Sequence, residues 1–330
     1  MSSIAISPVS SKVITLNDGN KMPIIGVNTW NLATEDLEFV IKGAIHVGFR
    51  HIDTSVFNLN EKQIGNVLKT LIDEGKVSRS ELFITTKLPP TANKPELVEP
   101  ALLESLERLQ MEYVDLYLIQ LPVAFERDNS FDTIKVTKDG LVCLEATNHI
   151  NVWKKMEDLI VKGLTKSIGL ANFNQNQIQN LISNCTIVPA VLQIEYHIFL
   201  QQPILIEFCN SNNITVNAFA VLCTEDMLSS SHFLGKRLLP NIMEVAEVKE
   251  LAEKYDKTEI QVLMRWIIEK NITILMRMNN SSRMHEIMGI FQFHLSKDDI
   301  QILNELDDNF RCVDLSAISG IENHPEYPFH

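Results

Sequence analysis

The chain alternates between short apolar runs of strand length and longer amphipathic runs of helix length, and that alternation limits what it can fold into. A hairpin is expected over residues 12–25, turning at Asn17-Asp18-Gly19-Asn20. Strands are then expected at 24–27, 50–53, 82–87, 114–120, 166–170, 190–194, 215–220 and 273–276. Helices are expected at 34–47, 61–75, 95–110, 149–162, 174–184, 203–212, 245–255 and 283–289, the first capped within Ala33-Thr34-Glu35-Asp36. Helix 259–270, amphipathic through Val262, Leu263, Trp266 and Ile267, reads as an insertion before the last strand; helix 297–306 and a tail to His330 close the chain. Residues 121–148 read as a long loop, as does the stretch from the strand at 215–220 to about Glu244.

Strict strand–helix alternation favours a parallel sheet. Eight units with no linker rich in Pro, Gly or Ser fit one closed (β/α)8 TIM barrel over residues 1–330 better than an open doubly wound sheet. The expected fold is therefore a (β/α)8 barrel with an N-terminal β-hairpin and extra C-terminal helices. Neither GxGxxG nor GxxxxGK[ST] occurs, which removes the usual Rossmann and P-loop signals.

Charge and composition narrow the function. A net charge of −13 argues against nucleic acid as the main partner, because phosphate binding needs a basic face. A few local Arg or Lys residues would still serve an anionic cofactor. No apolar run is long enough for a membrane span, and residues 1–12 lack the basic-then-apolar pattern of a signal peptide. Cys143, Cys185, Cys209, Cys223 and Cys312 are odd in number, widely spaced and without CxxC, so a reduced, cytoplasmic setting is expected rather than a disulfide framework.

Chemistry is expected around the stretch from Phe49 to Glu61. It approaches through apolar residues, ends its strand on Asp53, and opens a helix at Asn60-Glu61. A carboxylate at the C-terminal end of a barrel strand sits where such barrels keep their reactive groups. No residue suited to giving up a proton follows Asp53 in the turn.

Several stretches resemble the aldo-keto reductase family. Leu16-Asn17-Asp18-Gly19 with Met22-Pro23 is similar to its N-terminal hairpin, and Gly48-Phe49-Arg50-His51-Ile52-Asp53 with Asn60-Glu61 and Ile64-Gly65 to its first signature. Leu82-Phe83-Ile84-Thr85-Thr86-Lys87, Val114-Asp115-Leu116-Tyr117-Leu118-Ile119, Ser167-Ile168-Gly169-Leu170-Ala171-Asn172-Phe173-Asn174 and the terminal His324-Pro325-Glu326-Tyr327-Pro328-Phe329 match in order. The resemblance covers nearly the whole chain. It implies the barrel fold, an NADP(H) cofactor and reduction of aldehydes or ketones as the ancestral activity.

The same resemblance implies a catalytic tetrad of Asp, Tyr, Lys and His. Asp falls on Asp53 and Lys on Lys87, but the Tyr position is Asn58 and the His position is Gln120. No tyrosine lies between Asp53 and Glu61, and Tyr113 and Tyr117 have the opposite strand parity to Gln120. An Asn amide donates a hydrogen bond but releases no proton near neutral pH. Loss of a positioned general acid costs about 10²–10⁴-fold in rate; a Gln that still donates to a carbonyl oxygen costs less. Lys87 acting through a water is one rescue. An Asp53–Lys87 ion pair that only holds two strands together is the plainer alternative.

For the cofactor, the resemblance places Asn172 and Gln193 on the nicotinamide carboxamide and Phe219 against its ring. It places Arg277 near the 2′-phosphate, and Arg283 and Glu286 around the adenine. Ala171, Met278, Ile287, Asn28 and Met276 depart from the family's pattern. Each lost polar contact weakens binding by about 0.5–1.5 kcal/mol, so weakened NADP(H) binding is expected. Trp30, Val56, Leu121, Phe125 and the tail from Phe310 fall where the family builds its substrate pocket. That lining suits a small apolar carbonyl compound or other apolar ligand. His51 is read as pointing away from Asp53, and His149, His197, His285 and His294 show no ligand spacing with Cys or acids, so no metal is expected. Two functions remain: an altered or slow NADP-dependent reductase, or a non-catalytic pseudoenzyme that binds NADPH or an apolar ligand as carrier, sensor or partner-binding protein. A monomer is expected in either case.

Overall fold

The computed structural model describes residues 12–222, 241–278 and 281–329, without the side chains of residues 281 and 282. Eight parallel strands close into a barrel: β3 (Ile25–Asn28), β4 (His51–Asp53), β5 (Phe83–Leu88), β6 (Val114–Ile119), β9 (Thr165–Ala171), β10 (Val191–Glu195), β11 (Thr215–Phe219) and β12 (Thr273–Met276), with β12 pairing back onto β3. Helices α1 (Thr34–Val47), α2 (Glu61–Asp73), α3 (Val98–Leu109), α4 (His149–Val161), α5 (Gln175–Ile182) and α6 (Pro203–Ser211) follow successive strands. α7 (Ala246–Tyr255) and α8 (Glu259–Glu269) both precede β12, and α9 (Ser281–Met288) and α10 (Lys297–Asn304) follow it. Cys223 lies outside the described residues.

The helices bury one stripe each against the barrel, as their apolar spacing dictates. In α1 that stripe is Leu37, Val40, Ile41, Ala44 and Ile45, and the helix stops at Gly48, whose φ of 107° suits glycine. Its N-cap is Ala33, which has no side-chain acceptor, so the acids Glu35 and Asp36 in the first turn act without the expected cap. Between α2 and α3 the backbones nearly touch: a Cβ on Gly65 would sit 2.5 Å from the Arg108 carbonyl oxygen.

The floor of the barrel is closed by the hairpin of β1 (Val13–Thr15) and β2 (Lys21–Pro23). Leu16 and Met22 pack under Phe83, Leu116, Leu118 and Val191. Asn17 Nδ2 donates to the Pro189 carbonyl at 3.0 Å and Asn20 Nδ2 to Ser167 Oγ at 3.0 Å, which fastens the plug to the rim. Among the described residues, the C-terminal mouth of the strands is the end left uncovered by the hairpin.

Two expectations need correcting. The stretch 121–148 is an antiparallel arm, with β7 (Ala124–Phe125) pairing β8 (Leu144–Glu145) and bridges at Arg127–Ile134 and Val136–Val142. His51 does not point away from Asp53: two positions apart on a strand, both face the same side. His51 is fully buried one layer below Asp53, its Nε2 2.9 Å from Thr85 Oγ1. Burial, with the Lys87 charge next, pushes its pKa down to about 3.

Two outcomes are expected. Gly65→Ala should cost about 1–3 kcal/mol in urea unfolding, because helix backbones rather than a flexible side chain must move. His51 stays neutral in the fold while the unfolded chain protonates below its ordinary pKa of 6.5, so stability falls with acid until about pH 3. His51→Asn should be less stable near neutrality yet lose less on acidification, by up to about 1.4 kcal/mol per pH unit; urea curves at about pH 7 and about pH 5 check it. Equal acid slopes in both proteins would contradict a neutral His51.

Candidate active site

At the mouth, strand ends and loops surround a cleft of about 770 Å³ that includes its open entrance. Asn28, Trp30, Asp53, Asn58, Lys87, Gln120, Leu121, Asn172, Gln193 and Phe219 line it, with Ser55, Phe57, Ala171, Val313 and Leu315. Residues expected from distant parts of the sequence thus share one cavity.

A hydrogen-bonded chain forms its base. Lys87 Nζ, from β5, donates to Asp53 Oδ1 at 2.6 Å and to the Thr54 carbonyl at 2.9 Å. Across the lumen, Gln193 Nε2 donates to Asp53 Oδ2 at 2.9 Å and to Asn217 Oδ1 at 3.1 Å. Asn217 Nδ2 continues to Thr273 Oγ1 at 2.8 Å. Asp53 is 2% and Lys87 6% exposed, so each charge has its compensation inside the protein. The Lys87 ammonium keeps a third N–H beyond these two acceptors.

Asn58 stands in this cavity but is held by its own turn. Ser55 Oγ donates to Asn58 Oδ1 at 2.6 Å, and Asn58 Nδ2 donates to Thr29 Oγ1 at 3.0 Å. Its amide therefore faces Ser55 and Thr29. Gln120, just past β6, lines the cavity with a buried Oε1 that has no hydrogen-bond partner, a position open to a donor on a ligand. Tyr117 is fully buried outside the lumen, where burial and then the Glu61 charge push its hydroxyl well above the ordinary range. Among the described residues no tyrosine lines the cavity.

The residues assigned to a cofactor divide into two groups. Asn172, Gln193 and Phe219 line the cavity. Asn172 Nδ2 donates to the Gln120 carbonyl at 3.0 Å, and both Gln193 N–H bonds are engaged, leaving Gln193 Oε1 to accept from a carboxamide. Arg277 follows β12, and Arg283 and Glu286 lie on α9, outside the cavity lining. Glu286 accepts a bond from Thr258 Oγ1 at the start of α8, so its carboxylate already has a structural partner. Met278 and Ile287 are fully buried there. Asn28 Oδ1 accepts from the Trp30 backbone N–H at 2.8 Å and so fixes the turn that presents Trp30.

Of the apolar lining expected from sequence, Trp30 and Leu121 reach the cavity, whereas Val56 and Phe125 do not. Val56–Asn58 is a 3₁₀ turn, with successive side chains about 120° apart. Val56 therefore enters the core while Phe57 and Asn58 face the cleft. Phe125 is fully buried in β7 because the chain folds back after Pro122, whose carbonyl bonds His149 at 2.7 Å. Phe57 and Ser55 went unrecognised; the two-residue alternation carried on from Asp53 was the signal for both. His197 also departs from its reading, since Glu195, His197 and Cys312 place ligand-type atoms within 4.8 Å of one another.

Comparison with known proteins agrees with this geometry. Residues 24–308 match the Aldo/keto reductase family. Aldo-keto reductase family 1 member A1 of Homo sapiens is 37% identical over 330 residues, covering 98% of this chain and 99% of the relative. The same protein of Mus musculus is also 37% identical with the same coverage. The solved structure of the aldose reductase from Schistosoma japonicum superposes with a TM-score of 0.87 at 34% identity, covering 96% of this chain and 98% of that one. The eight-stranded barrel, the Asp53–Lys87 pair at its mouth and these matches agree: the chain belongs to the aldo/keto reductase family.

Proposed function

We propose that the chain binds NADP(H) and a small apolar carbonyl compound at the barrel mouth, as a monomer in the cytoplasm, and reduces the compound slowly or not at all. Among the described residues, no helix is long and apolar enough to cross a membrane. Support for the cofactor lies in the donor set: Gln193 Oε1 and Asn172 would hold a carboxamide, and Phe219 offers a ring face beside them. Arg277 would meet the 2′-phosphate and Arg283 the adenine. NADPH, when bound, supplies the hydride of a carbonyl reduction.

What the chain itself contributes is proton handling, and there the site is weak. The single observation carrying this reading is that Asn58 stands at the proton donor's position with its amide bonded to Ser55 and Thr29. The remaining acidic hydrogen in the cleft is the third N–H of Lys87. It can reach a substrate oxygen directly or through a water in the space beside Asn58, while Asp53 holds the positive charge on Lys87 and opposes its release. Gln120 would hold a substrate carbonyl only through an Nε2 N–H, since its Oε1 accepts. Phe57, Trp30, Leu121, Val313 and Leu315 exclude water and favour an apolar substrate. The same fixed Asn58 supports the second reading, a pseudoenzyme that binds and carries a ligand.

NADPH titration followed by tryptophan fluorescence should give saturable binding, and absorbance assays on aromatic aldehydes should give turnover about 10²–10⁴-fold below that of a member with a complete tetrad. Fast turnover would overturn the reading. Asn58→Tyr with Gln120→His should raise turnover by about 10²-fold, and lower thermal stability because the Ser55 and Thr29 bonds are lost. Lys87→Met should abolish residual reduction; if it leaves the rate unchanged, Lys87 is not the donor.

A further inference from the structure

We infer that Glu195, clamped by His197, is a positioning group that sets the tail wall of the mouth cavity and thereby the size of ligand the cavity accepts. β10 carries two polar residues two positions apart. Gln193 reaches Asp53, and Glu195, one layer nearer the mouth, is fully buried. Its carboxylate takes two successive backbone amides from a segment more than a hundred residues away: Cys312 N donates to Oε1 at 2.7 Å and Val313 N to Oε2 at 2.9 Å. His197 Nε2 lies 3.0 Å from Oε1, and Arg311 Nη1 3.9 Å from Oε2. Arg311 is tied again through Gln202, which accepts from Arg311 Nη2 at 2.9 Å and donates to the Glu195 carbonyl at 2.7 Å. Burial lowers the pKa of His197, but its bonds to Cys312 and Glu195 lift it to about 9.

The residue type follows from the task. A buried carboxylate persists only where hydrogen bonds and an opposite charge compensate it. In return it accepts on both oxygens, so it can hold two consecutive amides where a neutral amide side chain offers one acceptor atom. The clasp also sits where the tail needs it. Upstream, Phe310 N donates to the Phe199 carbonyl at 2.8 Å; downstream, Val142 N donates to the Ser319 carbonyl at 3.2 Å. Between these anchors lie Val313 and Leu315, the two tail residues that line the cavity. Leu315 has φ 62°, a backbone state that a leucine keeps only when its surroundings enforce it.

A metal ion is the competing occupant of this cluster. Against it, both Glu195 oxygens already accept main-chain N–H groups, a guanidinium stands beside them, and His197 Nδ1 is buried without the outer partner that a metal-bound imidazole normally has.

The test is amide hydrogen exchange on the wild type and on Glu195→Gln, with tryptophan quenching by 4-nitrobenzaldehyde and by the bulkier 9-anthraldehyde. Wild-type Cys312 and Val313 amides should be as protected as those of β10. In the variant they should exchange at least about tenfold faster with β10 unchanged, and the affinity ratio should move about fivefold toward the larger aldehyde. The selectivity arm rests on the cavity being the ligand site proposed above; the exchange arm does not. A wild type quenched by neither aldehyde sinks that reading and leaves exchange to decide the clasp. Tail amides in the wild type that exchange like an exposed loop overturn it whether or not the variant folds. So does an unchanged exchange rate or an unchanged affinity ratio in a folded variant. Stoichiometric zinc in the purified protein, with tail protection lost on adding EDTA, overturns it in favour of a metal centre.

Discussion

The buried carboxylate of Asp53 is the group on which the mouth of this barrel depends. It is nearly inaccessible to water, and its oxygens are shared between an ammonium from a neighbouring strand and an amide from across the lumen. A charge in that position is tolerated only while both partners stay in place. The pair therefore constrains β4, β5 and β10 together, and through Gln193 and Asn217 it extends to β11 and β12. Removing either charged member would leave the other buried and uncompensated. The Asp53–Lys87 pair thus has a structural role that does not depend on any reaction.

The fold was legible because periodicity and parity are local. The helix at Thr34–Val47 and the strand at Thr273–Met276 fall where apolar spacing puts them, and the other barrel elements deviate by one to three residues at their ends, where spacing says least. The cavity was legible where a side chain extends from a strand end: Asp53 follows from its place there, and the family resemblance marked Lys87, Gln193 and Phe219, which line the same cavity. It was not legible where the chain turns. In the turn after Asp53, Ser55 and Phe57 line the cleft while Val56, which opens a 3₁₀ turn, enters the core. Past Leu121, Phe125 looks like pocket lining but belongs to an arm that folds onto the barrel. The Glu195 cluster was hidden for another reason, since the tail that completes it lies far along the sequence and no spacing connects the two.

Asn58 illustrates how a substitution can be absorbed. A shorter side chain at the mouth would be expected to leave a gap beside Lys87. Here the amide turns toward its own loop, accepting from Ser55 and donating to Thr29, while Thr29 Oγ1 in turn donates to the Asp53 carbonyl at 2.9 Å. The residue thus links the loop after β3 to the turn after β4. These bonds make Asn58 part of the frame that holds the shape of the cavity.

The closing register has a consequence for how the protein comes into being. Ile25 of β3 pairs with Ile274 of β12, and the cleft is lined by residues from Asn28 to Leu315. A chain emerging from the ribosome therefore carries its first strand without a neighbour on one side until nearly all of the sequence has been made. Such non-local pairing is slow to form and leaves a strand edge exposed meanwhile. No ligand can shield that edge during synthesis, because the pocket does not exist until the tail has emerged.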